Sequence, residues 1–248
     1  MHNIKLVIAY DGTRYLGWQK TRMGPSIEET LQKVVEKITQ ESISLQAASR
    51  TDAGVHAEGQ IVNFHTLKHQ RELNQFQSSL NSLLPKDIIV LEVKEMPLSF
   101  HPTLDSTGKE YRYFIDFGPT QLPHHRHYSW HVHYPLDIEA IRSSFIHLVG
   151  SHNFRSFCNV KKNAHYTDYV REIQSIEMQM ISDHRLSFHI RGNHFLYKMA
   201  RNMIGTLISI GRGKLSSTQL PDILQCQYRP KAGVTAPAHG LFLYKVFY

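Results

Sequence analysis

Ile4-Lys5-Leu6-Val7-Ile8-Ala9-Tyr10-Asp11-Gly12 is a strand-length apolar run stopped by a turn pair, and the fold is read outward from it. The next pattern is helical. Ser26-Ile27-Glu28-Glu29 carries the serine and the glutamate three positions later of a capping box, after which Ile27, Leu31, Val34, Val35 and Ile38 share one face. Strand-like stretches follow around Ser42 to Ala48 and Gln60 to His65. Leu73, Phe76, Leu80, Leu83 and Leu84 then repeat at helical spacing until Pro85, and Asp87 to Lys94, rich in Ile and Val, reads as a strand. Strand, helix, strand, strand, helix, strand is the split order of a ferredoxin-like unit, with two helices on one face of an antiparallel sheet.

The second half reads as the same plan without a visible sequence repeat. Lys109 to Phe117 is a strand. Asp137 caps a helix with the apolar face Ile138, Ile141, Phe145, Leu148 and Val149, closed by Gly150. Ile173 to Ile181 and Arg185 to Arg191 form a hairpin around Ser182-Asp183-His184. A second helix runs from about Phe195 to Ile210, a short one lies near Ser217 to Gln225, and Gly240 to Val246 is the last strand. The expected fold is α+β, two ferredoxin-like βαββαβ halves, residues 1–103 and 104–248, with mainly antiparallel sheet and a junction near Pro97 to Gly108, where Pro97, Pro102 and Gly108 interrupt the pattern.

The 248 residues are 41% hydrophobic and 20% charged, enough apolar material for a core and too little charge for disorder. No apolar run nears the ~18 residues of a membrane helix, and Met1-His2-Asn3-Ile4-Lys5 lacks signal-peptide order, so a cytoplasmic location is expected. Cys158 and Cys226 form no C-x-x-C pair, which supports neither a disulfide framework nor a thiolate zinc site. A net charge of +7 fits a polyanionic partner, nucleic acid first, and equally an ordinary basic enzyme.

Three stretches carry candidate chemistry. In Ala48-Ser49-Arg50-Thr51-Asp52-Ala53-Gly54-Val55-His56-Ala57, extended backbone would put Arg50 and Asp52 on one face, a phosphate or base contact beside a nucleophile or base; the plainer reading is a turn whose aspartate bonds its own backbone. In Lys109-Glu110-Tyr111-Arg112-Tyr113, the tyrosines share a face, either exposed for stacking on bases or lining the core. On the helix near residue 200, Met199, Met203, Leu207 and Ile210 form one stripe and Lys198, Arg201 and Gly205 another, turned toward a cleft or toward solvent. His124, His125, His127, His131 and His133 raise a metal reading, with no carboxylate or thiolate at ligand spacing and no H-E-x-x-H. Nucleotide-binding glycine motifs and the G-x-S-x-G elbow are missing from the sequence.

Ser49 to Ala57 closely resembles the catalytic motif of the tRNA pseudouridine synthase A (TruA) family, G-R-T-D-A-G-V-H-A. Tyr10-Asp11-Gly12-Thr13 with Gly17-Trp18-Gln19, Lys109 to Tyr113, Phe195 to Asn202, and Ala236-Pro237 with Gly240-Leu241 resemble that family's other blocks, in its order and across nearly the whole chain. The resemblance implies isomerisation of uridine to pseudouridine in the anticodon arm of tRNA, without cofactor or metal, by a cytoplasmic homodimer of two ferredoxin-like halves with a cleft between them. It assigns the catalytic aspartate to Asp52, a base-flipping arginine to Arg50, the active-site tyrosine to Tyr111 and the arginine that pairs with the aspartate to Arg201. Lys198, in the same block, is a candidate RNA contact. Ser49 stands where the family usually has glycine, and Thr103 where it commonly has arginine. A guanidinium beside Asp52 would keep it ionised in a desolvating site. The rival readings are a non-catalytic RNA-binding protein on the same fold and a hydrolase using the histidine cluster.

Overall fold

A computed structural model describes residues 1–68, 72–160 and 168–248. In chain order the elements are β1 His2–Tyr10, α1 Ile27–Thr39, β2 Gln46–Ala47, β3 His56–Thr66, α2 Leu73–Leu83, β4 Ile88–Met96, β5 Gly108–Phe117, β6 Trp130–Val132, α3 Ile138–Ser143, β7 Gly150–Asn153, β8 Val170–Ser182, β9 Arg185–Gly192, α4 Met199–Gly211, α5 Leu220–Cys226 and β10 Leu241–Phe247. They form two compact units, residues 1–107 with 242–248, and residues 108–241.

In the first unit β1 lies between β4 and β3, antiparallel to both, and β2 follows on β3. Alternation along β1 sends Ile4, Leu6 and Ile8 into the core, and the register sets Ile4 opposite Phe64 and Leu6 opposite Val62. Ile27, Leu31 and Val35 of α1 and Phe76 and Leu80 of α2 are buried, as the periodicity requires. The Ser26 hydroxyl caps α1 by accepting from Glu29 N at 3.3 Å. The strand expected over 42–48 shrinks to Gln46–Ala47, whereas β3 begins at His56, four residues before the apolar pattern suggested. The loop carrying Asp52 therefore runs straight into a strand. β10 pairs in parallel with the start of β3, Phe242 opposite His56 and Leu243 opposite Ala57.

In the second unit the strands run β5-β9-β8-β7, all antiparallel, with β6 added in parallel along the end of β5. The long hairpin β8–β9 matches the expected one. Two helices depart from their patterns. The one after Asp137 ends at Ser143 and tightens into a 3-10 turn at Phe145–His147. Ser143 and Ser144 both donate to the Ala140 carbonyl, at 3.0 and 2.7 Å, and compete with the helix's own bonding there. Helix α4 starts at Met199, because Lys198 takes a left-handed φ of 60°. Its residues Met199, Met203, Leu207 and Ile210 are buried as expected, but the second stripe does not face solvent: Gly205 is buried and Arg201 half-buried.

Candidate active site

Asp52 sits half-buried in a loop whose backbone is tied to two earlier segments. Trp18 N donates to Thr51 O at 3.0 Å, Gly54 N to Tyr15 O at 3.3 Å, and Val55 N closes a turn on Asp52 O at 3.1 Å. The Tyr10 and Thr51 hydroxyls bond at 2.8 Å in the core. On the entering side, Ser49 N donates to Gln60 Oε1 at 3.2 Å and Ser49 O accepts from Gln60 Nε2 at 2.6 Å, so a glutamine on β3 completes both backbone bonds of the residue that departs from glycine. On the leaving side, Gly12 N donates to Nδ1 of buried His56, whose ring stacks on Phe242 at 4.5 Å.

Two glycines make this approach possible. A Cβ on Gly12 would lie 2.0 Å from Val55 O, and one on Gly17, at φ 94°, 2.6 Å from Thr51 O. The blocks Tyr10-Asp11-Gly12 and Gly17-Trp18 thus form the cradle that holds the Asp52 loop. The loop contains a backbone turn at Asp52, closed by Val55 N on the Asp52 carbonyl. Arg50 is exposed. Thr103 donates to Ala47 O at 2.8 Å, a structural bond at the position where arginine is common in the family.

Tyr111, Lys198 and Arg201 belong to the second unit. The tyrosines of β5 do not lie on an exposed face. Tyr113 is fully buried, and its hydroxyl donates to Pro237 O at 2.8 Å; burial pushes its phenol far up, with Arg201 acting in the opposite direction. Tyr111, 7% exposed, meets Phe195 edge-on at 4.8 Å. Lys198 stands before α4 rather than on its stripe, its ammonium 5.2 Å from the centre of the Tyr197 ring. Arg201 donates through Nε to Ala236 O at 2.8 Å, while Ala236 N returns a bond to Arg201 O at 3.1 Å.

That pair of hydrogen bonds to Ala236 is backed by a part-buried polar network with no simple sequence signature. Asn202 donates to Phe157 O at 2.6 Å and Asn159 Oδ1 at 2.8 Å, and its Oδ1 accepts from Arg229 at 2.8 Å and Thr235 at 2.7 Å. Arg229 reaches Gly233 O at 2.8 Å and Thr235 Oγ1 at 3.0 Å as well. The segment 229–236 is thereby pinned to α4, one residue from Arg201. An arginine inside Arg229-Pro230-Lys231 looks like surface charge until its acceptors are in place.

The histidines form two ring pairs, His124 with His125 at 4.4 Å and His131 with His133 at 4.0 Å. His125 pairs with buried Asp116 at 3.2 Å, which also faces Arg185, and His131 bonds Gly118 O at 2.9 Å. Among the described residues no three His, Cys, Asp or Glu side chains are placed to hold a metal ion, and no helix is long and apolar enough to cross a membrane.

The comparisons with known proteins agree with these blocks. The family model described as tRNA pseudouridine synthase matches residues 6–105 and 145–248, which include Asp52 and Arg201. The tRNA pseudouridine synthase A 2 of Protochlamydia amoebophila (strain UWE25) is 56% identical over 248 residues, covering 100% of this chain and 95% of the relative. The tRNA pseudouridine synthase A of Thermoanaerobacter sp. (strain X514) is 38% identical over 100% of both chains, and that of Myxococcus xanthus 39% identical over 100% of this chain and 92% of the relative. Matched along its full length and through both segments that carry Asp52 and Arg201, the chain belongs to the tRNA pseudouridine synthase family.

Proposed function

We propose that this protein isomerises uridine to pseudouridine in the anticodon stem-loop of tRNA, with Asp52, Tyr111 and Arg201 as the reacting set and Arg50 and Lys198 as RNA contacts. The observation that carries the reading is the Asp52 loop, held by backbone bonds to Tyr15 and Trp18 and closely approached by Gly12 and Gly17. Such fixing is what a catalytic carboxylate needs, since small misplacements cost large factors in rate.

The chemistry is an internal transfer. The bond from ribose C1′ to N1 breaks, the uracil turns, a bond from C1′ to C5 forms, and the proton on C5 leaves as N1 gains one. Asp52 is the group that assists departure of the base, by attack on the sugar or the ring or by stabilising a glycal-like intermediate, and Arg201 supports its charge. A paired uridine must first leave its stack, at a cost of a few kcal/mol that basic and aromatic contacts offset. The reading includes a cytoplasmic homodimer, as the family resemblance implies.

Unmodified tRNA transcripts incubated with wild type and with Asp52→Asn, then mapped for pseudouridine by carbodiimide labelling and primer extension, test it. Product in the anticodon arm from wild type alone is expected, with tRNA affinity of the variant within a few fold. Product from a clean Asp52→Asn preparation removes the aspartate from its role; salt-sensitive binding without product from either protein leaves a non-catalytic RNA-binding protein. Arg201→Met is expected to cripple turnover through loss of the charge partner.

A further inference from the structure

Among the described residues, Lys109 is a buried cation without a counter-ion. It lies two residues before Tyr111 on β5, paired across from Gly192, and alternation puts Lys109, Tyr111 and Tyr113 on one face. The residue is 7% exposed. Among the described residues none bonds or pairs with its ammonium, and the remaining residues 69–71 and 161–167 contain no Asp or Glu.

Two further basic groups gather beside it. His194 follows Gly192 in the turn whose Phe195 packs on Tyr111; burial first, then the fields of Lys109 and Arg171, hold its imidazole below the ordinary histidine range. Arg171, at the start of β8, has a buried Nε with no hydrogen-bond partner among the described residues. Its contact to Asp168 is 3.7 Å long, and that carboxylate is 64% exposed. Lys109 pairs with Gly192, and Glu172 and Asn193 exchange bonds at 3.0 and 3.1 Å, so buried Lys109, exposed His194 and Arg171, whose Nη1 bonds Val170 O, are set around one turn, with the Lys109 ammonium and the Arg171 Nε left unused among the described residues. Buried charges in proteins are ordinarily paired, so such a cluster is built for an anion.

We propose that Lys109, His194 and Arg171 form a phosphate site, which takes a backbone phosphate of the RNA beside the nucleotide held at Tyr111. The proposal rests on the reading of this protein as a tRNA-uridine isomerase, because it takes RNA as the source of the anion. A cationic pocket at that position fixes the register of the strand while carrying no base information.

The test is tRNA binding and turnover across a salt series for wild type, Lys109→Met, Lys109→Arg and Arg171→Gln. A lost phosphate contact lowers the slope of log affinity against log salt by about 1, and methionine is expected to do this while raising KM about tenfold and lowering kcat by less than threefold. Lys109→Arg restores the slope, and Arg171→Gln lowers it independently if the methionine variant does not fold. A merely structural lysine would leave the slope unchanged, and that result overturns the proposal. Failure of the isomerase reading shows separately, as wild-type protein that binds tRNA without forming pseudouridine.

Discussion

Arg229→Met removes the centre of the network behind Arg201 while keeping the length of the side chain. Three bonds at 2.8, 2.8 and 3.0 Å, to Asn202, Gly233 and Thr235, are lost together with longer ones to Asn159 at 3.3 Å and Ala232 O at 3.4 Å. Bonds from a charged donor contribute about 1.5 kcal/mol or more each, so the gross loss is about 4 to 5 kcal/mol. Two things reduce it. The guanidinium is only half-buried, and its desolvation, which pushes its ionisation down, disappears with it. Asn202 Oδ1 also keeps Thr235, and Asn159 Oδ1 keeps Asn202. A net destabilisation of about 2 kcal/mol remains. Because Ala236 holds Arg201 through two bonds and follows Thr235 directly, turnover should fall by about 10- to 100-fold, beyond what partial unfolding explains. Urea unfolding gives the first number and single-turnover pseudouridine formation, under conditions where the variant is folded, gives the second. Arg229→Lys, which offers a point charge instead of a planar fork, should recover less than half of either loss. A folded Arg229→Met with wild-type turnover would show that Arg201 is set without this network.

Gly17→Ala forces a Cβ onto a backbone oxygen at a positive φ, which should cost about 1 to 3 kcal/mol and depress turnover more than tRNA binding, since the displaced atoms belong to the Asp52 loop; equal losses in the two assays would separate the cradle from catalysis. For Lys109, burial pushes the ammonium down to about 8 from an ordinary 10.5. Between these values the unfolded chain binds the extra proton, so this residue's penalty is full below pH 8 and is relieved as pH rises toward 10.5. The penalty is about 3 kcal/mol, and Lys109→Met should therefore raise the urea midpoint of RNA-free protein at pH 7 and flatten its dependence above pH 8. A lowered midpoint would mean that the lysine stabilises the fold and is not held in reserve for a ligand.

Elements with a strong local period were legible from the residues alone. The alternation of β1, the capping box and stripe of α1, the spacing of α2 up to Pro85 and the β8–β9 hairpin each depend on neighbours within a few positions, so pattern and structure agree. The same holds for the loop around Asp52, whose turn chemistry is local and whose motif matches the family. The extents of β2 and β3 were not legible, because strand ends are set by partners far along the chain. Nor was the start of α4, where a left-handed Lys198 replaces the expected helical residue. The helix after Asp137 broke because two serine hydroxyls compete for one carbonyl, a balance of about 1 kcal/mol that periodicity does not register.

From the sequence alone, the order of the main elements, the basic character and the family were determined, since each is written in residue type and spacing. Tertiary structure decided the rest: that Tyr113 is core, that β10 pairs with β3, that Arg229 is a bonded centre and that Lys109 is buried without a counter-ion among the described residues. These depend on which distant groups come within hydrogen-bonding or van der Waals reach. A charged or aromatic side chain has the same local signature on a wet surface as in a dry pocket, and only the packing around it sets its energy.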